Sequence, residues 1–344
     1  MTFTEAAIRL GEALPWPDSV SAAVISHLVE RTRRSLAQSS NRSDASFSRA
    51  IAALPVAINT TEANKQHYEI PARFFEMILG PQRKYSCCYY GDARDTLAQA
   101  EERALEMTAE HARLADGQQV LELGCGWGSL SLWMARRYPN SRIISVSNSA
   151  SQREFILCQA AAADIPNLAV VTADMNAFVP QGDFDRIVSV EMFEHMVNWR
   201  PLLNRMRAAL RPDGLLFLHV FTHKSGSYRF SPENRADWIA QHFFTGGIMP
   251  SHGLIRQYQD IFSLDAEWQW NGRHYEKTAR DWLANYDRHR TEIFEVLRQI
   301  YGKDARLWQR RWRLFFLSTM GLFGHAGGDE WGVSHYLLSP SRSA

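Results

Sequence analysis

Short apolar runs alternating with helical repeats dominate the middle of the chain. Gln119 to Leu123, Arg142 to Val146, Leu168 to Thr172, Arg186 to Val190 and Leu215 to Val220 are each brief and mostly apolar, and each reads as a buried strand. Between them the spacing turns helical, as in Ser129 to Tyr138. This alternation predicts a parallel sheet covered by helices on both faces, with its ligand site at the carboxyl ends of the strands. Upstream, Ser21 to Leu36 carries Val24, Leu28 and Val29 on one side and predicts a helix. The polar run Ser39 to Asp44 predicts a loop, and Phe47 to Leu54 a second short helix before Pro55. Thr96 to Leu114 predicts a helix leading into the first strand, with Asp95 as its amino-terminal cap. After Val220 the alternation stops for a stretch that includes His242-Phe243-Phe244-Thr245-Gly246-Gly247. The strand-like Phe262 to Trp270 follows, then a block rich in Trp, Tyr and Arg, then a last strand, Gly332 to Leu338. The aromatics of that block, at helical spacing, read mainly as core.

The first strand runs into Gly124-Cys125-Gly126-Trp127-Gly128 and then a helix, which makes strand, tight turn and helix. Glycines suit a turn where the chain bends sharply and a ligand lies against bare peptide groups. A nicotinamide dinucleotide would want an acidic residue at the end of the second strand, where Ser147 and Asn148 stand instead. No Gly-Lys-Ser/Thr follows the glycines, so a nucleotide phosphate is not expected either. A nucleoside without phosphate remains, with S-adenosylmethionine the obvious candidate. Asp174, just past the third strand, is placed to accept a hydrogen bond from an adenine amino group, with Met175 beside it to pack on the ring.

After the fourth strand the chain reads Glu191-Met192-Phe193-Glu194-His195. A helix starting there would turn Glu191, Glu194 and His195 toward one pocket. An amine nucleophile arrives mostly protonated; an imidazole with a pKa near ~6.5 suits removal of that proton, and carboxylates can hold the ammonium.

The 344 residues, 45% hydrophobic, suffice for one large core, and a net charge of +1 gives no reason to expect nucleic acid. The four cysteines lack zinc spacing and read as reduced thiols, so no metal is expected. Without a signal peptide or a bilayer-length apolar run, the expected location is cytoplasmic. A homodimer is compatible with the sequence.

His67-Tyr68-Glu69-Ile70-Pro71, Tyr85-Ser86-Cys87-Cys88-Tyr89, Glu122 to Gly128, Phe193-Glu194-His195 and Trp331 together resemble the cyclopropane fatty acid synthase superfamily of methyltransferases. Ser147-Asn148-Ser149, Ser151-Gln152, Glu191-x-Phe193-Glu194-His195-Met196 and Met320 to Gly324 look most like its coclaurine N-methyltransferase type. The resemblance implies a Rossmann-like class I methyltransferase: a doubly wound, mostly parallel seven-stranded sheet with an N-terminal helical cap and a helical insertion before the last strand. Residues 1–95 would be cap and lid. Residues 96–344 would bind S-adenosylmethionine, with substrate-cap insertions at 221–260 and 271–325. The implied active-site residues are His195, Glu194 and Glu191. Those implied for the cofactor are Tyr85, Ser86, Gly124, Gly126, Gly128, Asn148 and Gln152, joined by Ser147, Asp174 and Met175 from the strand ends.

The expected reaction is N-methylation of a small amine. The alternative is cyclopropane-synthase-like modification of an unsaturated lipid acyl chain, for which the basic, Trp-bearing Arg306 to Arg313 could rest on anionic headgroups. Synthases of the superfamily use a bicarbonate held by cysteine, glutamate, histidine and tyrosine. Cys87, Glu194 and His219 match three of these, but Phe315 or Phe316 stands at the tyrosine's place, and Glu191 stands where synthases usually have glycine. His219 in turn replaces a glutamate of the plant enzymes.

Overall fold

The computed structural model describes residues 12, 16–38, 43–58, 70–233 and 237–341. The expected loop at residues 39–42, and His67, Tyr68 and Glu69, lie outside them. Nine strands follow in chain order: β1 (Gln119–Leu123), β2 (Arg142–Ser147), β3 (Leu168–Thr172), β4 (Phe184–Val190), β5 (Leu210–His223), β6 (Tyr228–Arg229), β7 (Ile248–Met249), β8 (Phe262–Trp270) and β9 (Trp331–Pro340). Seven form one sheet in the order β3-β2-β1-β4-β5-β9-β8, and β6 pairs with β7 apart from it. The strands β1 to β5 pair in parallel, whereas β9 runs antiparallel between β5 and β8. The expected mostly parallel seven-stranded sheet is the one observed.

Burial explains the strand patterns. Central β1, covered on both faces, is buried from Val120 to Leu123, while the edge strand β8 alternates buried or half-buried with exposed positions. Val120 faces the helices α4 (Leu97–His111), α5 (Ser129–Arg137) and α6 (Ala150–Ala162), in one apolar cluster with Leu105, Leu130 and Ile156. Leu121 and Leu123 face the other side, with Ile51 of α2 (Asp44–Ile51) and Leu202 of α7 (Trp199–Ala209).

A third cluster makes the cap. It joins Val29 of α1 (Asp18–Gln38), Phe74 and Phe75 of α3 (Ala72–Ile78) and Trp238 of α8 (Trp238–His242) to three late helices: Trp282 of α9 (Arg273–Arg288), Leu297 of α10 (Arg290–Tyr301) and Trp312 of α11 (Ala305–Phe323). The aromatic block is therefore largely core: Trp312 is fully buried, with its ring 4.8 Å from Phe74 and 5.0 Å from Phe243. Trp127 of the glycine turn belongs to the same cluster, so the cap packs directly onto the turn.

One local expectation is corrected. Thr96, not Asp95, caps α4, because its hydroxyl accepts from Gln99 N–H while the Gln99 side chain accepts from Thr96 N–H, a reciprocal box that Asp95 cannot form. The Asp95 carboxylate is engaged one turn earlier, accepting from Gly91 and Asp92 N–H at 2.7 and 2.9 Å.

Candidate active site

The glycine turn is built for close approach. Gly124, Gly126 and Gly128 all have positive φ, at 77°, 53° and 80°. A Cβ on Gly124 would lie 2.5 Å from the Met192 side chain, and one on Gly128 would lie 2.6 Å from Ile156. At Gly126 nothing lies within 4 Å, so that glycine keeps space open for a ligand rather than for packing. Gly124 and Cys125 N–H both donate to Val146 O, at 2.9 and 3.0 Å, which fixes the turn across the end of β2. Behind it, Glu122 accepts from the hydroxyls of Ser131 and of Ser145, the latter at 2.8 Å. Burial pushes the Glu122 carboxyl up to about 7.

A cavity of about 400 Å³ opens over the turn at the carboxyl ends of the strands. Ser147 donates to Gln152 Oε1 at 2.7 Å and Asn148 follows it, both at the end of β2, where a ribose would lie. Asp174 and Met175 stand past β3, and Tyr85 and Ser86 complete the near wall. Gly128 is the exception among the expected cofactor residues: it does not line the cavity, because it starts α5 and packs on Ile156. An uncovered peptide at Gly126, hydroxyl and amide groups at β2, and no acidic residue there fit a nucleoside that carries no phosphate.

Beyond β4 the chain does not enter the expected helix. Glu191 takes a left-handed φ of 47°, and only a 3₁₀ turn, Phe193–His195, follows. The three acid-base side chains therefore diverge. The Glu191 carboxylate lines the cavity and accepts from Cys87 N–H at 2.8 Å and Tyr275 O–H at 2.6 Å, with His219 Nε2 at 3.2 Å. Burial raises its pKa; the nearby Lys84 ammonium, the Cys87 amide and the Tyr275 hydroxyl oppose that rise. His195 lines the cavity too, stacked on Phe244 with ring centroids 4.3 Å apart. Glu194 turns beneath the floor instead, fully buried, where Oε1 accepts Phe221 N–H at 2.5 Å. Burial, and then the charge of Glu191, push its pKa well above the ordinary carboxylate range.

A family model described as mycolic acid cyclopropane synthetase matches residues 57–323. The chain belongs to the mycolic acid cyclopropane synthetase family. It is 36% identical over 290 residues to (S)-coclaurine N-methyltransferase of Thalictrum flavum subsp. glaucum, covering 83% of this chain and 80% of that protein. The cyclopropane-fatty-acyl-phospholipid synthase of Escherichia coli (strain K12) is 32% identical over 64% of this chain and 56% of its own. A crystal structure of coclaurine N-methyltransferase bound to N-methylheliamine and SAH superimposes with a TM-score of 0.92 at 31% identity, covering 97% of this chain and 99% of that one. The chain is an S-adenosylmethionine-dependent methyltransferase of this family.

Several lining residues of this methyltransferase went unread in its sequence. Tyr275 and Trp282 come from α9 in the cap, Phe221 from the end of β5, and Phe244 and Thr245 from the segment after it. Their distance in sequence from the glycine turn gave no local signal. Lys84, buried, donates to Ser86 Oγ at 2.5 Å and Cys87 O at 2.7 Å, and it lines the cavity beside Tyr85. Its place next to Tyr85-Ser86 was the one available sign.

Proposed function

We propose that this methyltransferase N-methylates a small amine. Glu191 holds the ammonium form, and His195 takes its proton before the nitrogen lone pair is used. One observation carries this reading: a carboxylate belonging to the chain stands at the cavity wall, at the end of β4, held by donors from three separate elements. Aromatic side chains share the same cavity wall, with Tyr275, Trp282, Phe221, Phe244 and Phe315 all lining it, as suits a cation that must leave water. The bound cofactor supplies an electrophilic methyl carbon; the chain positions the acceptor and excludes water from it. Glu194, below the floor, accepts from the Phe221 amide and so fixes the wall. Lys84, at the cavity wall beside Tyr85 and Ser86, would face the amino-acid carboxylate of the cofactor.

The lipid alternative finds less support. The Glu191 carboxylate already occupies Cys87 N–H, Tyr275 O–H and His219 Nε2, so a bicarbonate would have to displace it from those groups. The basic segment on α11 is also occupied: Arg311 pairs with Glu12, Arg313 pairs with Asp18 and Asp287, and Trp312 is buried. Among the described residues no helix is long and apolar enough to cross a membrane. The plant coclaurine N-methyltransferases also match more of the chain than the bacterial synthase does. A cytoplasmic setting, with four free thiols, belongs to the same reading.

The test is methyl transfer from labelled S-adenosylmethionine to a panel of primary and secondary amines and, separately, to vesicles of unsaturated phospholipid. Label is expected in the amines. Label in lipid alone would overturn the proposal. His195→Ala should lower amine turnover by roughly 10²-fold or more while cofactor affinity stays within a few-fold; unchanged turnover would remove His195 as the base.

A further inference from the structure

Three histidines stand in line behind Glu191. His219 of β5 and His335 of β9 are cross-strand partners, with His219 Nδ1 and His335 Nε2 2.8 Å apart. His335 Nδ1 lies 2.8 Å from Nδ1 of His111, the last residue of α4, whose ring stacks on Trp268 of β8 at 3.8 Å. His219 and His335 are fully buried and His111 nearly so. Burial holds all three below the ordinary imidazole pKa, far below for the inner two, so the rings are neutral.

A neutral imidazole has one donor nitrogen and one acceptor, which leaves a single arrangement compatible with an ionised Glu191. His219 Nε2–H donates to Glu191 Oε1; its Nδ1 then accepts from His335 Nε2–H; His335 Nδ1 accepts from His111 Nδ1–H; and the His111 Nε2 lone pair faces away from the column. Each ring's tautomer dictates the next.

We propose that His335 and His111 are positioning residues for the transfer reaction: acting through His219, they fix the donor that keeps Glu191 an anion facing the substrate ammonium. The column is built for this. All three rings lie on adjoining elements of one sheet and its covering helix, and neither His335 nor His111 lines the cavity. The charged and titratable groups around it are Glu191, with Cys87, Tyr275 and the buried Glu194 beside that carboxylate at the inner end, Lys84 acting on His219 and His335, and Glu110 acting on His111; Trp268 and Trp270 of β8 pack on it without charge. This inference rests on the amine-methylating reading of Glu191.

The experiment uses the full chain and the variants His335→Phe, His111→Phe and His335→Gln. Phe keeps the ring and removes the nitrogens; Gln restores an N–H donor at the Nε2 position. For the Phe variants the acidic limb of kcat/KM for the amine should move up by about one pH unit, the worth of one hydrogen bond to a charged group. The loss should fall on the amine KM at low pH, with S-adenosylhomocysteine affinity unchanged by calorimetry. His335→Gln should restore most of the limb. In parallel, ¹⁵N spectra of histidine-labelled protein should show His219 protonated at Nε2 alone. Unmoved pH limbs in folded Phe variants, or a His219 protonated at Nδ1, would overturn the proposal. The ¹⁵N readout needs no substrate, so absence of amine turnover would count against the function and leave the column tested on its own.

Discussion

At Glu191 a charged side chain occupies a backbone conformation that L-residues rarely hold. A left-handed φ at a non-glycine residue costs on the order of 1–3 kcal/mol and persists where the surroundings over-determine it. Here the surroundings are three donors on the carboxylate and the Glu191 N–H donating to His219 O at 2.8 Å. Glu191→Gly should accordingly be more stable than Glu191→Ala by roughly 1 kcal/mol in urea unfolding, though both lose the carboxylate; equal stabilities would mean that φ is not strained. The left-handed residue is also why the site was only partly legible in the sequence. Helical spacing groups Glu191, Glu194 and His195 on one face, but a residue at φ 47° followed by a 3₁₀ turn sends Glu194 under the floor. No residue-type rule marks a glutamate for that conformation.

Among the elements, the β1-turn-α5 unit was the most legible, since three glycines after an apolar strand have few other uses. The glycines nevertheless serve different ends. Gly126→Ala meets no neighbour and should cost only about 1 kcal/mol of stability while weakening S-adenosylhomocysteine binding, whereas Gly128→Ala, driven into Ile156, should cost more stability. Calorimetry and urea unfolding on the two variants separate these outcomes; the reverse ranking would contradict the assignment. Glu122, behind the turn, links this element to pH. Its folded pKa of about 7 lies above the unfolded value near ~4.3, so folding favours the protonated form. That contribution is fully present below the unfolded value and is lost as pH rises through 7. Glu122→Gln should therefore flatten the decline and exceed the parent stability at pH 8 by on the order of 1–3 kcal/mol, with little difference at pH 4. A variant that is less stable at both pH values would refute a Glu122 carboxyl raised by burial.

For the whole molecule, the sheet could be read from apolar runs because its central strands are buried on both faces, and strand limits agree within a few residues even at β9. The cap was harder to read. Its aromatics were recognisable as core, but which of them turn inward to the cavity depends on packing between α3, α9 and α11, far apart in the chain. The cap packs onto the glycine turn, so an ammonium held by Glu191 beside a bound nucleoside would sit where these two halves meet. Titration calorimetry of an accepted amine into protein saturated with S-adenosylhomocysteine, for the parent chain and Glu191→Gln, measures this most directly. At least a ~10-fold loss of amine affinity is expected in the variant, the scale of one charge-assisted contact, with S-adenosylhomocysteine affinity unchanged. Equal amine affinity in the two proteins would contradict it.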